Sequence, residues 1–167
     1  IFADRSELSG FKIRSGDLFG ISVNSNFSVV SNNDVQGCMA GIILNKAHGN
    51  LIQNNSIMVA CDGLSGLLSG SFSQGGGDGI QLIQCYNNTI RDNSIENGFI
   101  GIFLDTSSGN LVEGNRVKGS TNGIGLLSAV GNDIVDNTVQ KVSTQGIGLL
   151  KFSNDSTIKG NTVEESG

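Results

Sequence analysis

Few side chains in this sequence are suited to catalysis or metal binding. Among 167 residues there is one histidine, His48, and there are three cysteines, Cys38, Cys61 and Cys85. An odd number of cysteines is neither a disulfide framework nor a metal cluster, and no metal site is expected from them. Three carboxylates, Asp62, Asp78 and Asp105, have the most scope. A pair of carboxylates about 5 to 9 Å apart suits glycoside hydrolysis, and several with backbone carbonyls could hold Ca²⁺. Asp78 follows Gly75-Gly76-Gly77 and precedes Gly79, a single copy of a glycine-rich run, for which a loop hinge is the simpler reading. Asn45 and Gln81, together with His48 in a turn, complete the candidate binding set.

What positions these residues is a repeat. Gly-Ile recurs at Gly20, Gly41, Gly79, Gly101, Gly123 and Gly146, so a period of about 22 residues is interrupted once, by an insertion that the spacing places at 58–78. Each copy opens with apolar alternation, as in Gly101-Ile102-Phe103-Leu104, which reads as a short strand with one buried face. A second apolar column follows (Val30, Ile52, Ile90, Val112, Ile134, Ile158), and then a third (Val35, Ile57, Ile95, Val117, Val139, Val163). Three strands in 22 residues leave no room for a helix. The expected fold is therefore all-β: a parallel β-solenoid of about seven coils, occupying 1–167 as a single domain.

Two residues before each third-strand position stands an asparagine: Asn33, Asn55, Asn93, Asn115, Asn137 and Asn161. A weaker column of Ser28, Asn50, Asn88, Asn110, Asn132 and Ser156 precedes the middle strand. Inward amides at tight corners can bond both to backbone and to the amide one coil away, because Asn carries donors and an acceptor. Composition agrees: 25 Gly, 19 Asn and no Pro argue against helices and for a backbone whose N–H groups are all needed. The net charge of −5, with no basic cluster, argues against nucleic acid. No apolar run approaches the roughly 20 residues of a membrane-spanning helix.

The Gly-Ile strands and the six-residue Asn ladder, from about Leu8 to Val163, resemble the right-handed parallel β-helix of the pectin-lyase-like superfamily. Short regular repeats of this kind are most similar to its periplasmic nitrous-oxide-reductase-maturation and epimerase-like members. The resemblance implies a secreted, cell-surface or periplasmic protein, with the Gly-Ile strand as the first strand and substrates lying across the first sheet. It also implies that the 58–78 insertion is one of the loops walling that face. The superfamily's lyase, galacturonase and epimerase motifs are incomplete or absent here, so fold alone does not assign catalysis.

Outward positions of the first sheet form two columns: Ser22, Ile43, Gln81, Phe103, Gly125 and Gly148, and Asn24, Asn45, Ile83, Asp105, Leu127 and Leu150. The later coils are apolar, and such a strip marks a covered or partnered surface, with Leu64, Leu67, Leu68 and Phe72 as candidate cover. On the second sheet Asp92 and Asp136 share a column. Cys38 and Cys61 occupy similar places in adjacent coils, within reach of a disulfide. Neither end carries an evident cap, so the expectation is a piece of a longer solenoid or one whose ends meet partners. Two functions follow. One is binding or processing of polysaccharide along the first sheet and the 58–78 loop. The other is a non-enzymatic structural, adhesive or assembly role, with further copies meeting through the ends and the Leu127/Leu150 strip.

Overall fold

The computed structural model describes residues 1–14, 18–60 and 77–166. Every described strand pairs in parallel with the equivalent strand of the next coil, giving three sheets. The first sheet holds the six Gly-Ile strands: Phe19–Val23, Ala40–Asn45, Ile80–Ile83, Ile100–Asp105, Asn122–Leu127 and Gln145–Leu150. The second runs in seven strands from Glu7–Ser9 to Thr157–Lys159, and the third in seven from Lys12–Arg14 to Thr162–Glu164. This is the parallel β-helix expected, with three strands per coil. The coil count is slightly lower than seven: six turns close through all three sheets, and a last pair of strands follows.

The core is the set of apolar columns. Ile42, Ile80, Ile102 and Ile124 from the first sheet meet Ile52, Ile90, Val112 and Ile134 from the second and Ile57, Ile95, Val117 and Val139 from the third, all at most 1% exposed. Burial of each such side chain is worth about 1.5 to 3 kcal/mol. Their β-branched shape also suits the pleated surface.

Three corners close each coil, and each has its own device. Between the second and third sheets, the Asn55 Oδ1 accepts both the backbone N–H and the Nδ2 of Asn33, each at 3.0 Å, while Asn55 Nδ2 donates to Val30 O at 3.0 Å and to Asn93 Oδ1 at 2.9 Å. The pattern repeats through Asn115, Asn137 and Asn161. The column between the first and second sheets, which looks weaker in sequence, is built the same way. Asn88, Asn110 and Asn132 are at most 1% exposed, and each Oδ1 takes two donors from the coil before. There are two amide ladders, the second with serine at both ends.

At both corners the ladder residue itself is not in the left-handed conformation. The residue before it is, with φ of 56° at Asn32, 54° at Asn54 and 54° at Asn87. Asn tolerates that region better than most residues, which accounts for the Asn-Asn pairs 32–33, 54–55 and 87–88. Asp92 and Asp136 belong to this same preceding column, with φ of 53° and 52°. They share a column as expected, but at a corner rather than on the face of the second sheet.

The third corner carries the Gly-Ile glycine. A Cβ on Gly101 would lie within 3.0 Å of Val117 Cγ1 and of the Gly123 carbonyl oxygen, and the same two neighbours recur from Gly20 to Gly123. Glycine is needed here for close approach, not for a positive φ.

The ladders make a quantitative expectation. Asn115→Leu leaves the Asn93 N–H without its acceptor and removes one bond each from the Ile90 and Glu113 carbonyls, from Asn93 Nδ2, which keeps Ile52 O and Arg91 O, and from Asn137 Oδ1, which keeps the backbone N–H of residue 115. With about 1 to 3 kcal/mol for each buried group left unmet, loss of several kcal/mol is expected in urea unfolding. Asn110→Leu should cost the same within about 1 kcal/mol; a near-neutral Asn110→Leu would show that the second ladder is only a packing feature.

Candidate functional site

The two outward columns of the first sheet stand in register coil by coil. Gln81 pairs with Phe103, Phe103 with Gly125 and Gly125 with Gly148; Asn45 pairs with Ile83, Ile83 with Asp105, Asp105 with Leu127 and Leu127 with Leu150. Over the later coils the face opens into a groove of about 540 Å³. Gly125 contributes only backbone to its floor. Phe103 and Ile100 of the preceding coil would lie 3.4 and 3.6 Å from a Cβ at that position. Phe99, Ile100, Phe103, Leu127 and Leu150 supply its apolar lining, and Asn122, Gln145, Ser128 and Lys151 its polar rim.

The rim has hydrogen-bonding capacity to spare. The Thr144 hydroxyl donates to Thr121 O at 2.7 Å and shares the bond with Asn122 Oδ1 at 3.0 Å, and Asn122 Nδ2 has no partner among the described residues. The Gln145 amide folds over the Cα of Gly148, where a Cβ would collide with it, and is likewise unbonded there. Lys151 is exposed and forms no ion pair among the described residues. An apolar trough with free donors on its rim can hold a ligand with an apolar face and oxygen acceptors.

The candidate residues from sequence fall in different places. Gln81 and Asp105 do lie on the first sheet, half-buried, with Asp105 Oδ1 accepting the Thr106 hydroxyl at 2.9 Å. Asn45 is exposed at the end of its strand. His48 is exposed in the following turn, edge-on to Phe27 with ring centroids 5.2 Å apart, and the Arg5 guanidinium lies 5.5 Å from the Phe27 ring centroid. Asp62, Cys61, Leu64, Leu67, Leu68 and Phe72 lie outside the described residues, as does most of the 58–78 insertion. Cys38 is a buried free thiol whose neighbour in register is Val59. Cys85 stands in an inward column of small residues with Ala47 and Ser107, and burial pushes its thiol pKa up.

The groove residues Phe99, Ile100, Asn122 and Gln145 were not singled out by sequence. Ile100, Asn122 and Gln145 occupy the position just before the Gly-Ile glycine, and that column is chemically irregular: Phe19, Ala40, Asp78, Ile100, Asn122, Gln145. The irregularity is itself the signal that could have found them.

Asp78 belongs to that column and is only 4% exposed. Its Oδ1 accepts the Ile100 N–H at 3.2 Å. Burial raises its pKa from 3.8 to about 7, outweighing that hydrogen bond. A carboxyl whose folded pKa is raised contributes stability that is fully present below its unfolded value and is lost as pH rises through about 7. Asp78→Asn keeps an oxygen for Ile100 and removes the titration. The variant should gain stability over the parent at pH 8, on the order of 4 kcal/mol at most, and little at pH 4.5. Parallel denaturation curves at the two pH values check this, and an equal effect at both would refute it.

Solved structures with a similar fold include the periplasmic alginate epimerase AlgG, with a TM-score of 0.66 at 18% identity, matched over 93% of this chain and 43% of that one. A protein from Parabacteroides merdae assigned as a glycosyl hydrolase aligns with a TM-score of 0.61 at 11% identity, over 91% of this chain and 82% of that one. The chain thus spans less than half the length of AlgG, and likeness at such identities speaks for the fold. No curated protein sequence matches. The family model described as periplasmic copper-binding protein (NosD) matches residues 22–167, and the chain belongs to that family.

Proposed function

We propose that this chain is an extracytoplasmic β-helix that binds polysaccharide across its first sheet, with the groove between Phe103 and Leu150 as the contact surface. The observation that carries the reading is the pairing of an aromatic and aliphatic lining with unspent amide and ammonium donors at Asn122, Gln145 and Lys151. Sugars present apolar C–H faces and ring or hydroxyl oxygens, and concave sites with a few placed polar groups suit them. The periplasmic description of the family agrees with the extracytoplasmic location implied by the resemblance. The polysaccharide-acting names of two proteins with this fold point the same way.

The same description names copper. Copper sites are built from imidazole, thiolate or thioether ligands. Among the described residues no three His, Cys, Asp or Glu side chains gather as metal ligands. His48 packs on Phe27 at an outer turn, while Cys38 and Cys85 are buried. These residues do not fit a copper ion, and Asp78, with its carboxyl sealed against the Ile100 N–H, does not supply an open carboxylate for Ca²⁺.

The Leu127/Leu150 strip also keeps the assembly reading in view, because a half-exposed Leu150 in register with a partly buried Leu127 could meet a second copy. The two readings separate in solution. A glycan array followed by calorimetry on the best ligand should show binding that Phe99→Ala weakens about tenfold, the equivalent of about 1.4 kcal/mol, with the melting temperature little changed. Failure to bind any neutral or acidic polysaccharide, combined with concentration-dependent association in light scattering that Leu150→Ser abolishes, would overturn the carbohydrate reading in favour of assembly.

A further inference from the structure

The groove is more apolar than hydroxyl-covered sugars require. Leu127 and Leu150 stand side by side in register, with Leu150 49% exposed, and Ile100 and Phe99 line the same groove. The C–H faces of a pyranose can stack on aromatic or aliphatic side chains, but its edge hydroxyls must keep their hydrogen bonds, and the leucines, Ile100 and the phenylalanines that line most of this groove offer them none. The polar rim supplies donors beside this apolar lining. The Nδ2 of Asn122 has no partner among the described residues, and Lys151 is a donor alone, while the Gln145 amide and the Ser128 hydroxyl can donate or accept. Apolar lining in excess of what hydroxyls need, with free donors beside it, suits a substituent that joins a small apolar group to an oxygen acceptor.

We propose that the groove recognises acylated sugars, most simply O-acetylated ones, the acetyl methyl lying against Leu127 and Leu150 and its carbonyl accepting from Asn122 Nδ2 or Lys151. This inference rests on the polysaccharide reading and narrows its ligand class. Gly125 carries no side chain on the outward face, and Phe103 and Ile100 lean over it, 3.4 and 3.6 Å from where a Cβ would stand, so the substituent would rest on these side chains. No bond is made or broken in this binding. Removing the acetyl group by base exchanges it for a hydroxyl and leaves the rest of the glycan intact, which makes the inference directly testable.

The test uses the chain as it stands against a panel of naturally O-acetylated polysaccharides, each immobilised beside its mild-alkali-saponified twin, with calorimetry on oligosaccharides of the best pair. Acetylated ligands are expected to bind at least tenfold more tightly than their saponified twins. Two variants locate the preference. Leu150→Ser and Asn122→Asp should each bring the acetylated ligand down toward the saponified one. Asp at 122 retains an acceptor for the Thr144 hydroxyl while replacing the free donor, and circular dichroism melts verify folding of both variants. Equal or tighter binding of the saponified twins would overturn the acyl inference and leave the polysaccharide reading standing. A tenfold preference that both folded variants retain would also overturn it, by placing the acyl contact elsewhere. Absence of binding to every pair would overturn both readings.

Discussion

The whole molecule hangs on the alignment of buried amides between successive coils. Each ladder asparagine uses its oxygen for two donors from the coil before and its Nδ2 for the next coil and for backbone carbonyls. Such an arrangement tolerates no slip: moving one coil by a residue would bury several unmatched donors and acceptors at once, each costing about 1 to 3 kcal/mol. Hydrophobic columns alone specify the register less strictly, because one valine packs on another almost as well when slightly displaced. Two amide ladders on either side of the second sheet fix vertical alignment at two of the three corners. The outward columns of the first sheet inherit that alignment, and the groove can rely on residues 22 or 23 positions apart standing side by side.

The third corner solves the same closure problem by subtraction. There the backbone passes so near the third-strand side chain and the next glycine carbonyl that even a methyl group has no space. The consequence reaches the core, because the valine or isoleucine of the third strand fills the volume that the glycine leaves. Glycine at this corner and asparagine at the other two are thus complementary answers to tight turning without proline. One removes bulk, and the others supply donors and acceptors where the strand ladder is interrupted.

Much of this was legible in the sequence because it is periodic. Gly-Ile strands, three apolar columns and the main Asn column each repeat at one spacing, so the fold, the inward residues and the outward columns such as Gln81, Phe103, Gly125 and Gly148 could be written down before any coordinates. The second ladder looked weaker because serine replaces asparagine at its ends, Ser28 and Ser156. A serine hydroxyl can still accept from the neighbouring coil, as Ser28 does from the Ser6 N–H at 3.1 Å and Ser156 from the Asn132 N–H at 3.2 Å. Function was harder to read for the opposite reason. His48, Asp78 and Asp105 attracted notice by chemical type, yet the groove is formed by residues that look unremarkable singly and matter by adjacency. Nor does an Asn-Asn pair reveal which member turns the chain and which bonds inward; at these two corners the first member is the left-handed one.

A solenoid divides its positions into those that must repeat and those that need not. Inward residues, ladder amides and corner glycines are constrained by the coils above and below, so a change there disturbs three coils. Outward residues and the column before each glycine meet solvent or one another, and can vary without disturbing closure. This chain uses that freedom unevenly. In the early coils the first-sheet face carries Ser22, Asn24 and Asn45, while in the later coils it loses side chains at Gly125 and Gly148 and gains leucines at 127 and 150. The column before the glycines changes in the same coils, so that Ile100 leans over Gly125 and the Gln145 amide over Gly148. A depression on a flat sheet can form only where the floor is lowered and the edges remain, and both changes occur together in the coils spanning 99–151. Local departure from repetition, set against a frame that enforces repetition everywhere else, is what turns a regular surface into a site.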